Sequence, residues 1–212
     1  SGRLRVQKDG VQAWVQDLPS PATDISMQYN LAGNMESLSV QGVLSCVGHV
    51  PIALDIRPLE ESWTVSLSPK KFDVSALAPS MIESTIINGL YQIHGQGFDP
   101  ETLTADIEIK AEDEVLWSEN IQSWSTSIKY EASDLNITDL NVSHAIGTIH
   151  TKGTLGIQQQ KGDLEVRVGI DHMEELASYG IQARGRVSYD GSASFMWWDH
   201  VKAAVYGRLT GE

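Results

Sequence analysis

From Asp163 to Tyr189, apolar and polar residues alternate in two runs with one short break. Leu164, Val166, Val168 and Ile170 occupy every second position, with Asp163, Glu165 and Arg167 between them. A period of two predicts a strand with one apolar and one wet face. Asp171–Gly180 is polar, with Met173, Leu176 and Ala177 at helical spacing and a Gly stop, which predicts a helical turn or two. Alternation then resumes, with Ile181, Ala183, Gly185, Val187 and Tyr189 on one side.

The same order occurs earlier. Trp63, Val65 and Leu67 alternate with Ser62, Thr64 and Ser66; a short piece, Phe72–Pro79, follows; Ile86–Gly97 then alternates again. Leu77-Ala78 matches Leu176-Ala177 at an offset of 99 (176 − 77), and Val40-Gln41-Gly42 stands against Val142 at 102 (142 − 40). Self-similarity at about 100 residues predicts two copies of one unit, although chance alternation in an all-β chain would mimic it.

The remaining segments carry the same texture. Lys8-Asp9-Gly10 between Leu4–Val6 and Val11–Val15 is a hairpin signal, and Leu18-Pro19-Ser20-Pro21 reads as a linker. Strands are expected over Ile25–Leu31 and Leu38–Val47, with a turn at Gly33-Asn34 and a bulge or kink at Gly42. Ile52, Leu54 and Ile56 alternate with polar neighbours until Pro58. Leu103, Ala105, Ile107 and Ile109 alternate with Thr104, Asp106, Glu108 and Lys110. Glu112-Asp113-Glu114 reads as a solvated acidic loop before a short strand, Val115-Leu116-Trp117. Trp124, Thr126, Ile128 and Tyr130 share a side, and a phase slip at Thr138-Asp139 predicts a bulge. Ile146–Ile157 reads as a glycine-bearing hairpin. The sum is about fifteen short strands with two short helical pieces, so the expected fold class is all-β.

Composition narrows the partners. The 212 residues carry 28 acids against 15 bases, a net charge of −13. Phosphate backbones and anionic lipid surfaces are repelled by such a charge, so no nucleic-acid partner is expected. One cysteine, Cys46, excludes a disulfide within the chain and reads as a buried thiol. No apolar run approaches the ~20 residues of a membrane-spanning helix. Both ends read as cut from something longer.

Chemistry-bearing patterns are missing. There is no nucleophile elbow, phosphate loop, dinucleotide-binding glycine set or zinc spacing. The six histidines are dispersed, none at i, i+4 from another. Glu60-Glu61 and Glu174-Glu175 are adjacent, so in a strand each pair points to opposite faces. Asp171-His172 has no Ser or Cys placed to use it. No enzymatic role and no cofactor or metal is expected. Trp117 and Trp197-Trp198 are the candidate sugar platforms, more usually packing residues.

The apolar face itself remains. Its rows either meet in a closed sandwich or barrel as an ordinary core, giving an interaction or adhesion module, or line an open trough able to carry acyl chains. Alternation does not separate the two.

The order of pieces resembles the repeats of the AsmA-like superfamily, above all its TamB branch. The segments that carry this are Phe72–Pro79, Ile87-Asn88-Gly89-Leu90, Ile93-His94-Gly95 and Leu103–Ile109, then Leu135–Leu140, Gly147, Lys152–Leu155 and Asp171–Gly191. The later copy departs in having Ser178-Tyr179-Gly180 where the earlier has Pro79, and residues 1–30 match no part of the pattern. The resemblance implies a periplasmic fragment of a Gram-negative envelope protein anchored in the inner membrane. Its fold would be a long, curled, antiparallel-rich sheet, an open trough with a hydrophobic concave face. Its repeats would fall at 31–118 and 119–212. It implies a role in moving phospholipids between inner and outer membrane, in assembling outer-membrane proteins, or both. The partners would be phospholipid acyl chains and, through other parts of the parent chain, an Omp85-type outer-membrane barrel. By parity alone, the groove candidates are Ile52, Leu54 and Ile56; Leu103, Ile107 and Ile109; and Leu164, Val166, Val168 and Ile170.

Overall fold

The computed structural model describes residues 2–6, 25–34, 36–45, 49–75, 84–99, 102–116, 118–196 and 202–211. The expected elements at Val11–Val15, Leu18–Pro21, Cys46, Leu77–Pro79, Trp117 and Trp197-Trp198 lie outside the described residues. The strands are β1 (Gly2–Val6), β2 (Ile25–Gly33), β3 (Leu38–Ser45), β4 (His49–Arg57) and β5 (Ser62–Leu67). Two short ones follow, β6 (Phe72–Asp73) and β7 (Ile86–Ile87), then β8 (Gly89–Gln96), β9 (Thr104–Leu116) and β10 (Glu119–Glu131). The last five are β11 (Asp134–His144), β12 (Gly147–Gly156), β13 (Lys161–Ile170), β14 (Val187–Met196) and β15 (Lys202–Gly211). Two 3-10 turns, Pro58–Glu60 and Met173–Tyr179, are the helical elements among the described residues.

The fold is all-β. Strands hydrogen-bond in chain order from β1 to β15, with β6 and β7 on a side branch that joins β9. Among the described residues β1 and β15 each have one partner strand, so the sheet is open rather than closed into a barrel.

The chain forms two compact units, Ser1–Phe98 with Lys110–Asn120, and Asp99–Ile109 with Ile121–Glu212. In the first, β1 to β5 and β8 pair antiparallel. Its β2–β3 turn is set by Asn34, whose Oδ1 accepts the backbone N–H groups of Glu36 and Ser37 at 2.8 and 3.0 Å. The Trp63 indole N–H donates to the Gly97 carbonyl at 3.1 Å.

In the second, β10 to β15 pair antiparallel in order. Ala132 and Ser133 link β10 to β11 with φ of 50° and 70°. Positive φ at both central residues is the two-residue hairpin geometry that matches strand twist. The expected bulge is present: the β10–β11 and β11–β12 registers both slip at Thr138-Asp139. Gly180 ends the Met173–Tyr179 turn at φ 80°, the left-handed conformation glycine adopts without strain.

Several local expectations are corrected. Alternation through Ile181–Arg186 does not make strand; β14 begins at Val187, because β13 ends at Ile170 and earlier residues have no edge to pair with. Ile146–Ile157 holds one strand, β12, not a hairpin, and that strand is paired on both sides. Gly42 holds no bulge; it pairs Tyr29 and Ile52 in unbroken register. Phe72-Asp73 is strand rather than helix, paired to Ile87-Ile86. The acidic loop is also absent: β9 runs unbroken through Glu112-Asp113-Glu114. Asp113 sits at φ 52° and Glu112 and Asp113 are both exposed, so one extra residue returns Glu114 to the face of Ala111.

Candidate apolar binding face

Strand register places the apolar residues in rows. In the second unit Trp124, Val142, Ile149, Val168, Tyr189 and Leu209 are successive cross-strand partners from β10 to β15. Beside this row run Leu140, Thr151 and Val166, then Ile137, Gly153, Leu164, Ala193 and Val205. A further row holds Tyr130, Leu135, Leu155, Gly162 and Phe195. Six strands at roughly 4.8 Å spacing make each full row about 24 Å long. In the first unit, Leu31, Val40, Leu54, Val65 and Ile93 form the corresponding row.

These rows are not a packed core. Among the described residues Val50, Phe72, Ala111 and Ile137, with Pro69, are the buried apolar side chains. Leu31, Ile149, Val205 and Leu209 are exposed. The ten groove candidates are all half-buried. Ile52, Leu54 and Ile56 share the apolar face of β4, and Leu164, Val166, Val168 and Ile170 that of β13. Ile107 and Ile109 alternate with exposed Asp106 and Glu108 on β9, while Leu103 lies just before that strand.

The opposite face is wet and carries cross-strand ion pairs. In the second unit Lys152 pairs Glu165 and Lys161 pairs Asp163, each at 2.9 Å, and Arg167 pairs Asp190 at 3.2 Å. His150 Nδ1 lies 3.3 Å from Asp139. A cleft of about 570 Å³ opens among wet-face residues including Asn136, Lys152, Asp163, Glu165, Ser192 and Ser194. In the first unit a cleft of about 430 Å³ is bordered by Asp55, Arg57, Ser62, Thr64 and His94. Its polar groups also pair: Thr64 Oγ1 lies 3.2 Å from His94 Nδ1, and Arg57 reaches Glu60 at 3.2 Å. Among the described residues no three His, Cys, Asp or Glu side chains gather as a metal would require. No helix among them is long and apolar enough to cross a membrane.

One wet-face group has a shifted titration. The Ser194 hydroxyl donates to Asp163 at 2.6 Å and, with Lys161, holds that carboxyl below its ordinary 3.8. A depressed folded value makes this contribution present above the unfolded pKa and lost as pH falls through the folded one. Ser194→Ala is expected to move the Asp163 midpoint up toward the ordinary value. A carboxyl-carbon NMR titration reads it; an unmoved midpoint would refute the role of the hydroxyl.

A carboxylate on the apolar side went unread in the sequence. Glu114 is 1% exposed. Its Oε1 accepts the Asn88 backbone N–H at 2.6 Å and the Tyr91 hydroxyl at 2.5 Å. Asn88 also donates from its side chain to the Glu112 carbonyl at 2.7 Å. Burial first, then the bond to Glu114 and its charge, push the Tyr91 hydroxyl well above its ordinary 10.0, so it stays a donor.

The chain matches no protein-family model, no curated protein and no solved structure.

Proposed function

We propose that this chain is a periplasmic segment of an envelope-spanning protein of the AsmA-like, TamB-branch kind. Its apolar sheet face carries phospholipid acyl chains between the inner and outer membranes, a path that also serves outer-membrane protein assembly with an Omp85-type partner. One observation carries the reading: apolar rows run across six consecutive strands and remain half-exposed. The rows reach up to about 24 Å across the six strands and lie within about 20 Å along them, so the face covers on the order of 500 Å², near the upper end for a soluble monomer. Such a face gains about 0.8 kcal/mol for each CH₂ group it keeps from water. Sliding along it needs no catalytic group.

The test is lipid extraction and mass spectrometry of the purified protein and of a Val166→Asp, Val168→Asp variant. Phospholipid is expected with the parent chain and lost in the variant, whose circular dichroism should keep the β signature. Equal lipid in both, or none in either, would reject the lipid role and favour an interaction or adhesion module.

A further inference from the structure

Three aromatic side chains of the apolar face lie down against glycines instead of standing up from the sheet. Trp63 pairs with Gly95 across the β5–β8 ladder, and a Cβ on Gly95 would lie 2.1 Å from both Cε2 and Cζ2 of the indole. Phe195 pairs with Gly162, whose Cβ would lie 2.6 Å from the ring tip, Cζ. A Cβ on Gly191 or Gly207 would strike the hydroxyl or the ring of Tyr189. Each ring therefore fills the space of a missing side chain and rests against backbone, and Gly95 and Gly162 are buried. Any larger residue at those positions lifts the ring away from the sheet.

The polar atoms of these rings are spent on backbone. The Trp63 indole N–H donates to the Gly97 carbonyl at 3.1 Å, and the Tyr189 hydroxyl donates to the Tyr206 carbonyl at 3.0 Å. Phe195 has no polar atom to spend. All three rings are half-buried, so what they offer the open face is carbon. An amphipathic ring whose polar tip is already satisfied suits a hydrocarbon ligand better than a hydroxylated one.

We propose that Trp63, Tyr189 and Phe195 form the floor on which an acyl chain lies, and that the glycines beneath them set how deep the chain sits. This rests on the acyl-chain reading above and names the residues that decide the depth of the path. Rings laid over sheet glycines also stabilise strands, so the test needs a readout that stability alone does not move.

The probe is dansylaminoundecanoic acid, a fatty acid whose fluorescence rises on leaving water. The parent chain should bind it saturably. Gly162→Ala sets a methyl against Phe195 Cζ and Leu155 Cδ2, both far ends of flexible side chains, so the fold holds while the ring rises. Binding should weaken about tenfold, the worth of roughly two CH₂ groups. Phe195→Leu added to Gly162→Ala removes the lifted ring and should bring binding back to within about twofold of the parent. Gly95→Ala, with and without Trp63→Leu, repeats the comparison in the first unit, and the urea midpoint is read for every variant. No binding by the parent would remove the acyl-chain reading and this floor with it. Parent binding that both alanine variants leave unchanged, or a loss that Phe195→Leu and Trp63→Leu do not restore, would overturn the floor alone. So would lowered urea midpoints with unaltered probe binding, which would make the rings packing only.

Discussion

Glu114→Ala is expected to lower the stability of the first unit by about 3 kcal/mol, because it leaves two half-buried donors without the Oε1 they share. The Asn88 N–H and the Tyr91 hydroxyl both lose Oε1, at a side chain that is 1% exposed. Glu114→Gln keeps the volume and one acceptor, and should cost about 1 kcal/mol. Urea unfolding followed by tryptophan fluorescence separates the two variants. An alanine variant as stable as the parent would mean that the carboxylate is not holding β8 to β9. The same site has an alkaline signature. The raised Tyr91 value favours the folded chain below the ordinary 10.0, and that contribution declines as pH climbs beyond it. Tyr91→Phe should remove that part of the decline.

Gly153→Val should be about as damaging to the second unit, for a backbone reason. Gly153 lies at φ 147°, where L side chains are strained. A Cβ there would stand 2.1 Å from the Asp163 carbonyl and 2.8 Å from the Leu164 Cα, neither a flexible side chain. Strain and overpacking together are expected to cost about 3 kcal/mol or more. Gly153→Ala should cost less, yet still measurably. The midpoint of urea unfolding checks both, and a valine variant of parental stability would contradict the close approach of β12 and β13.

Much of the fold was readable because period-two alternation is a local property. The face of Leu164–Ile170, the shared side of Trp124–Tyr130 and the slip at Thr138-Asp139 all follow from residues adjacent in the chain. Ile181–Arg186 misled for the opposite reason: its alternation is real, but a strand also needs a neighbour, and β13 stops at Ile170. Glu114 was hidden by a single residue. Asp113 in the left-handed region shifts the parity of β9, so an acid that reads as loop becomes the most buried side chain of its strand. The ten groove candidates were chosen by parity, and those on β4 and β13 do share faces. The wet-face ion pairs depend on register between strands, which no single strand encodes.

Photo-crosslinking tests the apolar face most directly. Benzoylphenylalanine is placed singly at Leu54, Val166 and Val168, and at the wet-face positions Asp55, Glu165 and Arg167. Each variant is irradiated in cells and examined by mass spectrometry of the intact protein. Phospholipid-mass adducts at the first three positions and none at the last three are predicted. Adducts spread equally over both sets, or absent from all six, would contradict an acyl-chain path along this face.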